Sequence, residues 1–125
     1  MQTLTYKKHW LILSFVTILL TFYLSLRQTA GAAAPFLHFD KVCHFSIYCF
    51  LAYYHRNLFP KIKNYWIFLF FCSMGVAIEF LQKMTGYRFF ERGDILANSL
   101  GILFGQFGLY KFYPDVLLKL DRHFS

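Results

Sequence analysis

Hydrophobic residues in this chain are concentrated in four long segments separated by shorter polar stretches. The segments run over about residues 10–26, 42–59, 65–81 and 95–113. A helix needs about 20 mainly apolar residues to cross a bilayer, with a usual range of about 17–25, and each segment is close to that length. The pattern therefore predicts an all-α, polytopic membrane protein. We expect a four-helix transmembrane bundle in which the whole chain, residues 1–125, is a single domain.

Polar and aromatic residues at the segment ends support these boundaries. Tyr65 and Trp66 open the third segment and Tyr113 closes the fourth, as the aromatic belt of a membrane protein would place them. Pro114 cannot continue the fourth helix. Residues 116–122 then alternate leucine and valine with charged side chains. This stretch predicts a short amphipathic C-terminal tail that lies on the membrane surface.

Composition favours a membrane protein and argues against other classes. The chain is 58% hydrophobic and 15% charged, whereas about a quarter of the residues in a soluble domain are charged. The formal net charge is +7, but the basic residues lie between the apolar segments and form no continuous stripe, so nucleic acid is not expected as a partner. Cys43, Cys49 and Cys72 contain no CxxC pair, which predicts buried free thiols.

A signal peptide is the alternative interpretation of the first segment. Lys7 and Lys8 precede it, and residues 30–32 resemble a small-residue cleavage site. The apolar run is longer than a typical signal-peptide core of about 7–15 residues, which favours a retained span.

The distribution of basic residues predicts the topology. With four spans, the N-terminus, the second loop and the C-terminus share one side of the membrane. That side carries eight basic residues, namely Lys7, Lys8, Arg56, Lys61, Lys63, Lys111, Lys119 and Arg122. The other side carries five, namely Arg27, Lys41, Lys83, Arg88 and Arg92. The positive-inside rule therefore places both termini in the cytoplasm of a multi-pass cell-membrane protein.

Three pairs of polar residues lie at segment ends, three or four positions apart. The pairs are Asp40 with His44, Glu79 with Gln82, and Asp94 with Asn98. Each pair shares one face of its helix because of this spacing. Two pairs open their helices and the third closes its helix, so the topology predicts that all three meet at the outer membrane face. These six residues, together with Lys41 and Arg88, are the predicted ligand-binding residues.

Each of these residues also has a simpler interpretation. Solvated charges at the membrane interface would explain Lys41, Glu91 and Arg92. His44 could be a packing residue. Asn98 could cap a helix or form an interhelical hydrogen bond. Glu79 is harder to explain in this way. A carboxylate near the C-terminal end of an apolar helix needs a partner such as Arg88 or a proton, and an ionisable group within a span suggests a functional site.

Two sequence stretches resemble signatures of VanZ-like membrane proteins. Residues 40–48 resemble the D-K-x-x-H-F-x-x-Y opening of that family. The second signature is matched by Glu79, Gln82, Gly86, Arg88, Asp94, Asn98, Gly101 and Gly105. The last two also form a GxxxG motif, which lets another helix approach closely. The resemblance covers about residues 40–105 and implies a single VanZ-like transmembrane domain.

The chain departs from the family pattern beside Arg88. Members often carry glycine directly before the arginine and a small hydroxyl residue directly after it, whereas Tyr87 and Phe89 occupy those positions here. The family takes its name from a component linked to glycopeptide resistance, particularly to teicoplanin. The resemblance therefore implies a role in the cell envelope, but it does not supply a molecular activity.

Three functions fit this pattern. In the first, the polar residues bind a lipid-linked or lipoglycopeptide envelope molecule, with membrane lipid as a further partner, and affect glycopeptide susceptibility. In the second, a membrane enzyme acts on a lipid-phosphate precursor, and the catalytic candidates are His44, Asp40, Glu79 and Asp94. There His44 is a general acid or base oriented by Asp40, and Arg88 stabilises negative charge. In the third, the polar residues only hold the helices together.

The sequence leaves the choice between binding and catalysis open. The carboxylates and His44 could also hold a divalent metal, but their spacing matches no metal motif, so neither a metal nor a cofactor is expected. No P-loop, GxGxxG, HExxH or GxSxG motif is present in the sequence. The oligomeric state does not follow from this pattern.

Overall fold

The structure is a computed structural model that describes residues 4–27, 39–86 and 92–125. These residues form helices and contain no strand, which confirms the all-α prediction. The helices are α1 (Lys7–Leu26), α2 (Phe39–Leu58), α3 (Asn64–Met84), α4 (Arg92–Leu103) and α5 (Val116–Phe124). After α4 the helical path continues through a π-helical segment, Phe104–Leu109, and one α-turn, Tyr110–Phe112.

The helices extend beyond the apolar segments that predicted them. Helix α2 begins three residues earlier than predicted, so Asp40 lies in its first turn. Helix α3 continues to Met84, so Glu79 lies more than one turn before the end of the helix and not in its last turn. By length and composition, two helices in the described ranges, α1 and α3, could each cross a membrane. Helix α2 carries several charged and histidine residues, and α4 is only 12 residues long before the π-helical segment.

The exterior of the bundle is apolar and much of its interior is polar. In α1 the buried residues are Ser14, Thr21 and Ser25, whereas Phe15 is 63% exposed and Leu19 is 52% exposed. A protein folded in water shows the opposite distribution. Lipid is the solvent that suits this surface, because polar side chains then bind one another inside the bundle.

Helix α2 approaches both α4 and the π-helical segment that follows it so closely that a side chain would not fit between their backbones. A Cβ atom added to Gly101 would lie 2.3 Å from the backbone oxygen of Phe45, and one added to Gly105 would lie 2.3 Å from that of Cys49. The close helix approach predicted from the GxxxG motif is therefore observed. It fixes the position of the N-terminal end of α4 relative to that of α2.

Hydrogen bonds attach α1 to the rest of the bundle. The Ser14 hydroxyl lies 2.6 Å from Nε2 of His55, and Nδ1 of His55 lies 2.7 Å from the backbone oxygen of Leu51. A backbone carbonyl only accepts, so Nδ1 carries the proton and Nε2 accepts from Ser14. The cysteines are free thiols, as predicted, with Cys49 buried and Cys43 and Cys72 partly buried.

The amphipathic tail predicted after Pro114 forms helix α5, but one of its charged residues, Asp121, is buried against α1. Asp121 is only 1% exposed, and its carboxylate accepts hydrogen bonds from the backbone N–H groups of Thr5 and Tyr6 and from the indole of Trp10. These donors lie at the N-terminal end of α1, where a negative charge is favoured by the helix dipole. Burial raises the pKa of Asp121, but these hydrogen bonds lower it more, so the net pKa lies below the usual 3.8.

We expect Asp121→Asn to lower the melting temperature at neutral pH by several degrees, because an amide accepts these hydrogen bonds more weakly than a carboxylate. A lowered folded-state pKa means that the stabilisation is present above the unfolded-state pKa of about 3.9 and is lost as pH falls through the folded-state value. The difference between wild type and variant should therefore shrink below about pH 4. Asp115→Asn is the control, since Asp115 is exposed and its carboxylate accepts one hydrogen bond within the described ranges, from Tyr110 at 3.2 Å. Equal melting curves for Asp121→Asn and Asp115→Asn would contradict this role.

Candidate functional site

Three helices bring His44, Glu79 and Asp94 together in the interior of the bundle. One ligand atom from each residue lies within 4.8 Å of the other two. The three side chains are buried, and Glu79 is completely inaccessible. The N-terminal ends of α2 and α4 meet the C-terminal end of α3 here, as the paired spacing predicted. We call these three residues the His-carboxylate cluster and this end of the bundle the site end.

Lys41 forms ion pairs both with Asp94 of the cluster and with Asp40 at the outer edge, or rim, of the site. Its ammonium lies 2.7 Å from Oδ1 of Asp94 and 2.8 Å from Oδ2 of Asp40. Nε2 of His44 lies 3.5 Å from Oδ2 of Asp94. The carboxylate beside His44 is therefore Asp94 of another helix, and not Asp40, which the sequence suggested as the orienting group. The helical spacing favoured Asp40 because it lies four residues from His44 on the same helix, whereas Asp94 is close to His44 only because α2 and α4 pack together.

Asp40 lies at the rim of the site with a half-exposed side chain. Partial burial would raise the pKa of Asp40, but the hydrogen bond and the charge of Lys41 lower it more, so the pKa of this carboxyl lies below its usual value. Lys41 itself is only 23% exposed and is not the solvated interfacial charge of the simpler interpretation. Its aliphatic chain lies against Gly93, where an added Cβ would be 2.9 Å from Cε. No motif in the sequence indicated a role for this glycine, which directly precedes Asp94.

A second polar layer lies one helical turn deeper on the same three helices. Its members are Tyr48, Gly75 and Asn98, each four residues from a member of the His-carboxylate cluster. A Cβ atom added to Gly75 would lie 2.8 Å from Nδ2 of Asn98 and 3.4 Å from Oη of Tyr48, so the two polar groups converge on this glycine. Glu79 lies close enough to act electrostatically on the Tyr48 hydroxyl. We call Tyr48, Gly75 and Asn98 the deep layer.

Polar atoms of the deep layer have unused hydrogen-bonding capacity. Within the part of the chain that the structure describes, Oη of Tyr48 and Oδ1 of Asn98 have no hydrogen-bond partner, although the residues are 1% and 3% exposed. Buried polar groups normally have partners. The simpler interpretation of Asn98 as a cap or an interhelical hydrogen bond therefore does not account for its carbonyl oxygen.

The polar residues end one further turn into the bundle. Ala52, Phe71 and Ile102 lie four residues beyond the deep layer on the same helices, and each is at most 1% exposed. They belong to the apolar core of the bundle. Among the described side chains, the polar groups thus form a column that begins at the site end and stops at this apolar core. This arrangement suits a binding or reaction site and gives no support for a transport path.

Gln82 and Arg88 complete the set that the sequence predicted. Gln82 is buried, but its amide donates to the backbone oxygen of Ser25 at 2.7 Å, so it joins α3 to α1. Arg88 and Glu91 lie outside the described residues. Arg92, in the first turn of α4, is exposed, in agreement with a solvated charge. The structure therefore brings His44, Glu79, Asp94, Asn98 and Lys41 together, with Asp40 at the rim.

The chemistry of the cluster depends on how its negative charge is balanced. Two carboxylates within 4.8 Å of each other repel in a buried site unless a proton or a cation compensates them. Lys41 supplies one positive charge, and the first turns of α2 and α4 add the partial positive charge of two helix dipoles. The imidazole of His44 can accept or donate a proton beside Asp94. The site can therefore hold a cation, exchange a proton, or contact an anion through Lys41.

Comparison with known proteins identifies the family. A family model described as VanZ/LLP1 matches residues 2–114, which include α1 to α4 and both polar layers. No curated protein and no solved structure matches the chain. The family match agrees with the resemblance of the two signature stretches and covers most of the sequence. The chain therefore belongs to the VanZ/LLP1 family.

Proposed function

We propose that this chain is a four-span protein of the cell membrane that binds the anionic head group of a lipid-linked envelope molecule and thereby alters susceptibility to glycopeptides. The observation that carries this proposal is the convergence of Lys41, His44, Glu79 and Asp94 from three helices in one buried site. A family linked to glycopeptide resistance, as the sequence resemblance implies, supports the envelope as the place of action. The His-carboxylate cluster is the proposed binding site.

Four spans are supported by the apolar exterior and by the continuous helical path from Arg92 to Phe112. A retained α1 is supported by its hydrogen bonds to α2 and α3, since a cleaved signal peptide would leave His55 and Gln82 without these partners. The excess of basic residues on the opposite side supports a site end that faces outward, with both termini in the cytoplasm.

An anionic head group fits the entrance of the site. The ammonium of Lys41 contacts Asp40 and Asp94, and Arg92 is exposed in the first turn of α4. The N-terminal ends of α2 and α4 also favour negative charge. Deeper in the column, Nδ2 of Asn98 and the hydroxyl of Tyr48 are hydrogen-bond donors that a phosphate oxygen can use. The carboxylates would oppose this binding unless they are neutralised, which makes the charge balance of the cluster the critical property.

The hydrophobic part of such a molecule also has a place on this bundle. A cavity of about 880 Å³ lies between α1, α2 and α3. Its lining is mainly apolar and includes Ile18, Phe22, Phe59, Phe70 and Met74. A mainly apolar cavity of this size between the helices of a membrane protein suits an acyl or polyprenyl chain.

Deleting the gene and restoring it tests the proposed physiological role. We expect the wild-type gene to change susceptibility to a lipidated glycopeptide several-fold and to change susceptibility to an unlipidated one much less, because the site is proposed to act on a lipid-linked molecule. The measurement is the minimal inhibitory concentration of each compound for the deletion strain with and without the gene. Equal changes for both compounds would remove lipid recognition from the proposal.

A second candidate function is an enzyme that acts on a lipid phosphate. The observation that favours it is the contact of 3.5 Å between His44 and Asp94, which is suited to general acid–base catalysis. Incubating the purified protein with a polyprenyl phosphate and measuring released inorganic phosphate distinguishes the two functions. Release that is lost in His44→Gln would establish the enzyme, whereas binding without release supports the binding protein.

A further inference from the structure

We infer that His44, Glu79 and Asp94 bind a divalent transition-metal cation, such as Zn²⁺ or Mn²⁺, which connects them to a phosphate oxygen of the head group. The second half of this inference rests on the proposed function, whereas the metal site itself does not. One imidazole and two carboxylates form a ligand set that Zn²⁺ and Mn²⁺ accept, while Ca²⁺ prefers oxygen ligands alone. The three residues come from three helices, which explains why no sequence spacing predicted the site.

The distances between the ligand atoms suit such an ion. Two ligands bound at about 2.1 Å to a tetrahedral ion lie about 3.4 Å apart. Nε2 of His44 and Oδ2 of Asp94 are separated by 3.5 Å. One ligand atom from each of His44, Glu79 and Asp94 lies within 4.8 Å of the other two. The three residues therefore supply three ligand atoms around one point in the interior of the bundle.

The deep layer provides an independent indication of a ligand. Oη of Tyr48 and Oδ1 of Asn98 are more than nine-tenths buried and lack hydrogen-bond partners among the described residues. Both residues lie one turn below the cluster, on the helices that supply His44 and Asp94. A water molecule or an oxygen ligand on the ion would be held by these two groups, as outer-layer residues commonly do at metal sites.

Lys41 shows that positive charge is favoured at this position. Its ammonium lies against Oδ1 of Asp94 at 2.7 Å and also contacts Asp40 at 2.8 Å. When an ion binds Asp94, Lys41 can retain its ion pair with Asp40 at the rim. Three protein ligands leave a coordination position open, and the positive charge of Lys41 beside Asp94 would attract a phosphate that occupies it.

The metal content of the purified protein tests this inference. The chain is purified in detergent, stripped with EDTA, equilibrated with Zn²⁺ or Mn²⁺, desalted and measured by inductively coupled plasma mass spectrometry. We expect one ion per chain in the wild type and background levels in His44→Gln and Glu79→Gln. His55→Gln is the matched control, because His55 is also a buried histidine of α2 but binds Ser14, and it should keep the ion.

A measurement on the wild type keeps the inference testable even if the variants do not fold. Metal should raise the melting temperature of the stripped wild-type protein, and EDTA should reverse the increase. No ion above background in the wild type, or equal metal content in wild type and folded His44→Gln, would overturn the metal site.

The two proposals fail in different ways. Binding of polyprenyl phosphate that persists in excess EDTA, with no metal on the protein, removes the metal and leaves the proposed function standing. Stoichiometric metal without any binding of polyprenyl phosphate leaves the metal site standing and removes the proposed function. Binding of polyprenyl phosphate that requires the metal supports both.

Discussion

Replacing Gly101 by leucine is expected to prevent the bundle from folding. Even a Cβ atom at this position would lie 2.3 Å from the backbone oxygen of Phe45, and a backbone atom cannot rotate away. Adding atoms to a packed interior typically costs about 1–3 kcal/mol where neighbouring side chains can adjust, so a cost above about 3 kcal/mol is expected here. Total stabilities are only about 5–15 kcal/mol. The measurement is the yield of monodisperse protein by size-exclusion chromatography, followed by a thermal melt.

Gly108→Ala is the matched control for this prediction. A Cβ atom at Gly108 would lie 3.0 Å from the side chain of Phe104, which belongs to the same helical path and can shift. This variant should elute and melt close to the wild type. A Gly101→Leu protein with native elution and a native melting temperature would show that α2 and α4 are not packed as described.

Replacing Glu79 by glutamine is expected to abolish head-group binding while the protein stays folded. The two side chains have nearly the same shape, but the amide carries no negative charge and is a much weaker ligand for the cation that we infer to join Glu79 to the phosphate of the head group. Because glutamine keeps nearly the volume and shape of the completely buried Glu79 side chain, the packing of the bundle is preserved and the protein should remain folded. Binding of polyprenyl phosphate, the melting temperature and the amount of protein in the membrane are measured together.

Asp115→Asn serves as the control for this change, since it also converts a carboxylate to an amide but lies on the exposed surface at the other end of the bundle. It should bind like the wild type. A folded Glu79→Gln protein that binds normally would mean that the carboxylate has no role in the site. Loss of the protein from the membrane would instead favour a purely structural role.

The sequence predicted the parts of the site that depend on spacing within one helix. Residues four apart share a face, so Asp94 with Asn98, and His44 with Tyr48, followed directly from the helical period. The GxxxG motif at Gly101 and Gly105 likewise indicated a close helix approach without naming the partner. The direction of each helix then determined that the three ends meet.

Contacts between distant parts of the chain could not be predicted in this way. Asp121 accepts from Tyr6, which is 115 residues away, and nothing in the local pattern distinguishes it from the exposed Asp115. Gln82 was assigned to the site because it is three residues from Glu79. At 3.6 residues per turn, however, three residues leave the two side chains about 60° apart around the helix axis. That rotation directs Gln82 to Ser25 of α1. The pairing of Lys41 with Asp94 also depends on packing between helices.

Native mass spectrometry of the purified protein with a polyprenyl phosphate tests the central claim most directly. The account predicts that the wild type and Asp115→Asn each retain one phosphorylated lipid, that His44→Gln retains none, and that the unphosphorylated polyprenol does not replace the phosphorylated lipid. Equal retention by wild type and folded His44→Gln, or equal retention of the phosphate and the alcohol, would show that the His-carboxylate cluster is not a head-group site.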